Sequence, residues 1–525
     1  MKVLISDPLA PEGAAILHEA GHEVVEQSGL APDALCAAIA DADALIVRSG
    51  TKVTADVLAA APRLKVVGRA GAGVDNIDIE AATRRGVVVM NTPGGNTVSA
   101  CELTMAMMLA LARRLPQASQ RVKAGEWPRK EFTGTELQGK CLGIIGLGRI
   151  GSEVARRAQS FDMDVLAFDP FATEEHARRL EVKLLELDEL VATSDVITLH
   201  TPMSKDTKRL LDAEAFAKMK DGVLLVNCAR GGLVDEAALL DALHSGKVAG
   251  AALDVFENEP PADSPLLKLD QVIATPHVGA TTLEAQTNVA VQIARQVVEA
   301  LRGDPPRNAL NAPAVDPELA ELLGPYIDLA ERLGKLIVQL TDGRIEQLTI
   351  TYRGEMNNHS VRPLTTALLK GVLERALTTP VNYVNAAVVA ADRGIEVNVV
   401  KASELEDFAN LITVEARRDD TTISVSGTLF SRSTPRVVRM DGYHVDAEPR
   451  GHFLVTRHLD RPGVIAHVTA VLAQHGVNIA DMTCGRDTPG GTATMAINID
   501  NPVSDEVLRA IEASPLILRA QVVSL

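Results

Sequence analysis

Between Gly143 and Gly151 the chain reads GIIGLGRIG, an apolar strand that runs into a glycine turn and then a helix. Gly146, Gly148 and Gly151 stand at G-x-G-x-x-G spacing. A dinucleotide fold needs one glycine for the turn, one to let backbone approach the pyrophosphate, and one for close packing of helix on strand. Amides at the following helix N-terminus then face the phosphates, with Arg149 and Ile150 next in line. Three glycines at this spacing also recur by chance, and the context narrows the reading. Asp169 closes the next apolar run at about the 20-residue distance where a carboxylate holds a ribose 2′-hydroxyl.

The rest of the chain falls into βα units around that turn. Residues 1–93 alternate short apolar runs (3–6, 45–48, 64–67) with alanine-rich helical stretches, which predicts a parallel sheet covered on both faces. The turn Gly71-Ala72-Gly73 reads either as a tight βα connection or as an amide-lined anion site. Residues 97–115 have the spacing of a long apolar helix, of the kind that joins two lobes or two subunits. Strand-like runs recur at 164–168, 196–199, 223–227, 248–253 and 272–274, and a helix over 281–301 is long enough to return to the first lobe. That return makes the first lobe discontinuous, with residues 1–96 and 283–313 forming one domain and 97–282 the inserted nucleotide lobe. Gly303, Pro305, Pro306, Pro313 and Pro317 form a breaker-rich linker. Residues 314–450 read as a mixed α/β domain without a motif, and 451–525 follow a βαββαβ order, the ferredoxin-like split.

A chain of 525 residues requires several cores. Its net charge of −17 and pI near 5.2 exclude nucleic acid as a partner, so any anion site must be a local basic pocket. Five cysteines, odd in number and without C-x-x-C pairing, signal neither a disulfide framework nor a metal site. The N-terminus lacks the basic and apolar regions of a signal peptide, and no segment reaches the ~18 apolar residues of a membrane span. A cytoplasmic protein without membrane association is expected.

Arg230, Glu259 and His277 each follow a predicted strand, where the carboxyl ends of a doubly wound sheet border a ligand crevice. An arginine grips a carboxylate in two-pronged fashion, a histidine exchanges protons near neutral pH, and a glutamate on its other ring nitrogen orients the imidazole. Singly, the three also read as a surface ion pair, a solvated loop carboxylate and a structural histidine.

Taken in order, the glycine turn, Asp169, Asn227-x-x-Arg230-Gly231, Asp254-x-x-x-x-Glu259-Pro260 and Thr275-Pro276-His277-x-Gly279 resemble the D-2-hydroxyacid dehydrogenase family. Arg69 to Asp78 and Asn91 to Asn96 are similar to its long-form branch acting on 3-phospho-D-glycerate. The resemblance implies two doubly wound Rossmann-like α/β lobes, an α+β intervening domain and a terminal ferredoxin-like ACT unit. It also implies oxidation of 3-phosphoglycerate to 3-phosphohydroxypyruvate with NAD, the opening step of serine synthesis. In that reading His277 accepts the C2 hydroxyl proton, Glu259 tunes it, and Arg230 holds the carboxylate and polarises the carbonyl. Gly71, Ala72 and Gly73 assist with their amides, and Arg48, Arg69 and Asn96 lie near the substrate phosphate.

By the same resemblance Thr201, Pro202, Cys228 and Ala229 flank the cofactor and Asp254 lies near the nicotinamide. Asp169-Pro170-Phe171 offers no cation to a 2′-phosphate, which favours NAD over NADP. In the ACT-like unit Asp460 and Asn478 match the positions that bind an amino acid between two paired copies, with L-serine the implied effector and a homodimer or homotetramer the implied assembly. Residue chemistry alone also allows Asp460 a helix-capping role. His458 stands where serine-responsive relatives carry a tyrosine. The alternatives are an NAD-dependent dehydrogenase of another D-2-hydroxy acid and a nucleotide-sensing scaffold of the corepressor type.

Overall fold

The computed structural model describes residues 1–313, 317–341, 343–374, 381–403, 407–431 and 433–525. Four sheets organise the chain. The first is five-stranded and wholly parallel, built from Lys2–Ile5, Glu23–Glu26, Ala44–Val47, Val66–Arg69 and Val88–Asn91. Its inner strands are buried on both faces, Ala44–Val47 along its whole length, so they read as unbroken apolar runs. The helix Leu283–Arg302 returns to this sheet, seating Ile293 and Val297 on Val66 and Met90. Past Gly303, which ends that helix in a left-handed conformation, residues 308–311 pair with the edge strand: Leu310 N donates to Val89 O at 2.9 Å and Val89 N to Asn311 Oδ1 at 2.9 Å.

The second sheet has seven parallel strands, with Cys141–Ile145 between Asp164–Phe168 and Val196–Leu199. The chain leaves this central strand for opposite sides of the sheet, so the glycine turn at its carboxyl end sits at the topological switch point. The predicted helix over 97–115 is two helices, Thr97–Ala112 and Leu115–Lys123. Arg114 adopts φ 52° between them and Pro116 cannot continue the first helix. Nor is the first helix, whose alanine- and methionine-rich sequence predicts burial nearly all round, buried so: Cys101, Met105 and Met108 enter the nucleotide-lobe core, whereas Val98 and Leu109 face solvent.

In the third sheet Gln347–Gly354 pairs in parallel with Glu396–Ala402 and antiparallel with Asn410–Arg418, and three further antiparallel strands follow. The helices Pro317–Leu340 and Arg362–Leu373 cover it. The fourth sheet is antiparallel, in the order Ile479–Arg486, Thr492–Ile499, His452–Leu459, Ile517–Ser524, which is the βαββαβ arrangement. One face carries Val464–Gln474 and Asp505–Glu512. Phe453, Ala496 and Val523 on the other join the third sheet's core, so these two units share packing.

Candidate active site

The glycine turn is shaped for a phosphate. Gly146 has φ 97°, and a side chain there would meet the backbone of His200 and Thr201. A Cβ on Gly151 would collide with the Gly146 carbonyl, so that glycine packs helix on strand. At Gly148 a Cβ would meet nothing, and the helix Arg149–Gln159 starts there without a side-chain cap, leaving its first amides open. Leu147 N donates to Asp169 Oδ2 at 2.8 Å, and Asp169 Oδ1 accepts from Phe171 N at 2.8 Å. Asp169 therefore holds the turn. NAD fits this set: open amides for the pyrophosphate, a carboxylate for the ribose and no cation beside it. Cys228 follows the strand Val223–Asn227 of the same sheet, and burial pushes its thiol up to about 12, which leaves it unreactive.

At the end of that strand, Asn227 orders the turn that carries Arg230: its Oδ1 accepts from Ala229 N at 3.1 Å and its Nδ2 donates to Arg230 O at 2.9 Å. Arg230 Nε donates to Asp75 Oδ2 of the first lobe at 3.0 Å. Its guanidinium lies so close to Gly73 that a Cβ there would collide with it. The amides of Ala72 and Gly73 stay open beside it, whereas Gly71 N donates to Arg69 O at 2.9 Å and is not free for a ligand. Asn91 fixes the loop by donating to Ala72 O at 2.6 Å. Arg69 comes from the same loop: its Nε is buried without a partner, and burial together with neighbouring Arg230 pulls it down to about 10. It remains protonated at neutral pH, a cation in need of an anion. Arg48 N donates to Asp7 Oδ2 at 2.6 Å while its guanidinium reaches only Pro8 O, at 3.3 Å. Asn96 heads the helix Thr97–Ala112, and its side chain makes no capping bond.

His277 Nδ1 lies 2.8 Å from Glu259 Oε2, and Nε2 has no protein partner among the described residues. Burial works against ionisation of Glu259, but the His277 ring, the Phe256 amide and Arg230 outweigh it and hold the carboxyl below the ordinary range. His277 has φ 54°, and Asp254 holds the loop in that conformation. At 1% exposure, Asp254 accepts Thr275 Oγ1 at 2.6 Å and Val278 N at 2.8 Å on Oδ1, and Gly279 N at 2.8 Å on Oδ2. Its carboxylate thus fixes the histidine loop.

Several residues of this site carry no motif. His176 Nε2 lies 3.3 Å from Leu147 O and 3.3 Å from Ser152 Oγ, and Ser152 Oγ donates to Leu147 O at 3.1 Å, so the pair clamps the glycine turn from behind. Ser99 Oγ donates to Gly279 O at 2.9 Å and ties the first long helix to the histidine loop. Nothing in the sequence signalled His176, Ser152 or Ser99, whereas Asn91 and Asn227 stand in motifs at strand ends.

In the terminal unit Asp460 Oδ2 accepts from Gly490 N at 2.9 Å and Arg486 at 3.2 Å, and Asn478 Nδ2 donates to Asp500 Oδ2 at 2.8 Å. The two lie at opposite ends of the sheet and are not brought together within one chain. His458 is 2% exposed, with Nδ1 3.3 Å from Thr456 Oγ1, and burial lowers its pKa.

Residues 105–279 match the D-isomer specific 2-hydroxyacid dehydrogenase NAD-binding domain, 322–441 the D-3-phosphoglycerate dehydrogenase intervening domain, and 452–515 the ACT domain. The chain is similar to D-3-phosphoglycerate dehydrogenase of Archaeoglobus fulgidus, 46% identical over 97% of each chain. It is also similar to that of Bacillus subtilis, 43% identical over 100% of this chain and 99% of the other. Among solved structures, D-lactate dehydrogenase of Aquifex aeolicus complexed with NAD and lactic acid covers 60% of this chain and 100% of its own, at 31% identity and TM-score 0.54.

Proposed function

Since this chain belongs to the D-3-phosphoglycerate dehydrogenase family and is an NAD-dependent enzyme, we propose that it oxidises 3-phospho-D-glycerate to 3-phosphohydroxypyruvate as the first step of L-serine synthesis in the cytoplasm. The observation that carries the reading is the pairing of His277 with Glu259 on one lobe opposite the unpaired buried Nε of Arg69 on the other, with Arg230 joining the two. The Arg230 guanidinium and the Ala72 and Gly73 amides grip the substrate carboxylate. Arg69 and Arg48 take the phosphate, which an otherwise acidic protein repels. His277 receives the C2 hydroxyl proton at Nε2, the nitrogen Glu259 leaves free, and Glu259 stabilises the charge that forms. NAD, bound on the glycine turn, supplies the acceptor for the C2 hydride. Asp254 keeps the histidine loop in its left-handed conformation throughout.

Arg48 and Arg69 separate this substrate from other D-2-hydroxy acids. Alanine at both should lower kcat/KM for phosphoglycerate by at least about a hundredfold, the loss of charge-assisted bonds, and change that for unphosphorylated D-glycerate little. Equal losses on the two substrates would remove the phosphate assignment.

The same reading places L-serine on the ACT unit as a feedback inhibitor, with Asp460 of one copy meeting Asn478 of another across a two-fold axis. It requires a homodimer or homotetramer, and Val98, Leu109, Leu115, Val122 and Trp127, the last 81% exposed, are apolar side chains available to such pairing. The division at residues 96/97, 282/283, 313/314 and 450/451 is likewise our reading of where the sheets begin and end.

A further inference from the structure

A cavity of about 1000 Å³ lies away from the crevice, where the first lobe meets the intervening unit. Its floor is apolar: Leu64, Val66, Val88 and Ala300 come from the first lobe, Ile327 and Val384 from the intervening unit. Three cations, Arg63, Lys65 and Arg85, stand on its rim. Arg63 is spent on Asp43, 3.2 Å from each carboxylate oxygen. Lys65 and Arg85 have no carboxylate partner among the described residues, and the one other acid on the lining is Asp304. Lys65 is attracted by Asp43 only at longer range, so two cations without a carboxylate contact stand beside an apolar floor on a chain of net charge −17.

The position of the cavity matters as much as its lining. Val66 and Val88 begin the parallel strands Val66–Arg69 and Val88–Asn91. Those strands end, roughly 10 Å away, at Arg69 and at Asn91, which holds the Ala72 carbonyl. Ala300 sits near the end of the helix Leu283–Arg302, whose other end follows the His277 loop. The opposite wall is tied to the first lobe by few bonds, Asn382 Nδ2 to Gly86 O at 2.8 Å and Arg84 to Asp392 at 2.9 Å. A ligand there touches both bodies and the blunt ends of three elements whose other ends form or adjoin the active site.

We propose that this cavity is a binding site for a small organic anion with an apolar body, held by Lys65 and Arg85, and that its occupancy fixes the intervening unit against the first lobe. A cavity of this size and character accommodates a ligand of a few hundred daltons. The test is calorimetric titration of the full-length protein with anilinonaphthalene sulfonate in saturating NAD, which keeps the probe out of the nucleotide crevice. One probe should bind per chain, and neutral anilinonaphthalene at least about tenfold more weakly, as loss of a charge-assisted contact implies. Lys65→Ala with Arg85→Ala should weaken the sulfonate by a similar factor at unchanged kcat. Ala312→Trp, which fills the cavity from the linker side, should abolish binding; two variants guard against a folding defect in either. Absence of binding to the unmodified protein, or an affinity unchanged from the unmodified protein in both variants, would each overturn the proposal.

Discussion

At the level of single residues, the three glycines of the turn separate fold from function. A Cβ at Gly151 has no room beside the Gly146 carbonyl, whereas at Gly148 it points into the open crevice. Gly151→Ala should therefore lower Tm measurably, and Gly148→Ala should leave Tm unchanged while raising KM for NAD by about tenfold or more, since the methyl occupies the pyrophosphate approach. Melting curves and initial rates on the two variants check this; a Gly148→Ala protein with normal KM contradicts it. Glu259→Gln keeps the shape and removes the charge on Nδ1, so kcat should fall by about ten- to a hundredfold with little change in KM for NAD. Because the Glu259 carboxyl is held low, its pairing with His277 is present at neutral pH and is lost only as pH falls through and below the ordinary carboxylate range.

Among the elements, legibility followed burial. Parallel strands covered on both faces are continuous apolar runs, and Val196–Leu199, Val223–Asn227 and Val248–Leu253 were readable as written, as were the less covered Asp164–Phe168 and Val272–Ala274. The third sheet was not, because its strands are half-buried and alternate, as Gln347–Gly354 does, and their partners are set only by tertiary packing. Motif residues at strand ends were legible in the same way, while the supports were not: His176 and Ser99 have no spacing rule, only a position in the finished fold. The helices over the third sheet are braced by Glu331, which burial would push up but which Lys335, Lys370 and Tyr383 draw down to about 2. That depressed value contributes stability that is complete above the unfolded carboxyl's range and disappears as pH falls from about 5 towards 2. Glu331→Gln should thus lower Tm at pH 7, through a loss of about 1–3 kcal/mol of stability after allowance for its partial exposure, and match the unmodified protein near pH 2. Thermal melts across pH that differ by a constant offset would contradict the assignment.

For the molecule as a whole, two sets of strand ends face each other across a crevice, and a second pair of sheets shares a core behind them. The opposite placement of Asp460 and Asn478 makes the proposed regulation a property of paired chains. Light scattering should give a dimer or tetramer, and L-serine should lower kcat, an effect that Asn478→Ala removes without altering uninhibited turnover. A monomer that serine nonetheless inhibits would refute the two-fold arrangement. The central claim, that His277, Glu259 and Arg230 perform hydride-coupled proton removal from 3-phospho-D-glycerate, is tested most directly by NADH formation with NAD, phosphoglycerate and a ketone trap. The account predicts turnover by the unmodified protein and a loss of about a hundredfold or more in His277→Gln, with KM for NAD retained. No NADH from the unmodified protein, or undiminished turnover in the variant, would contradict it.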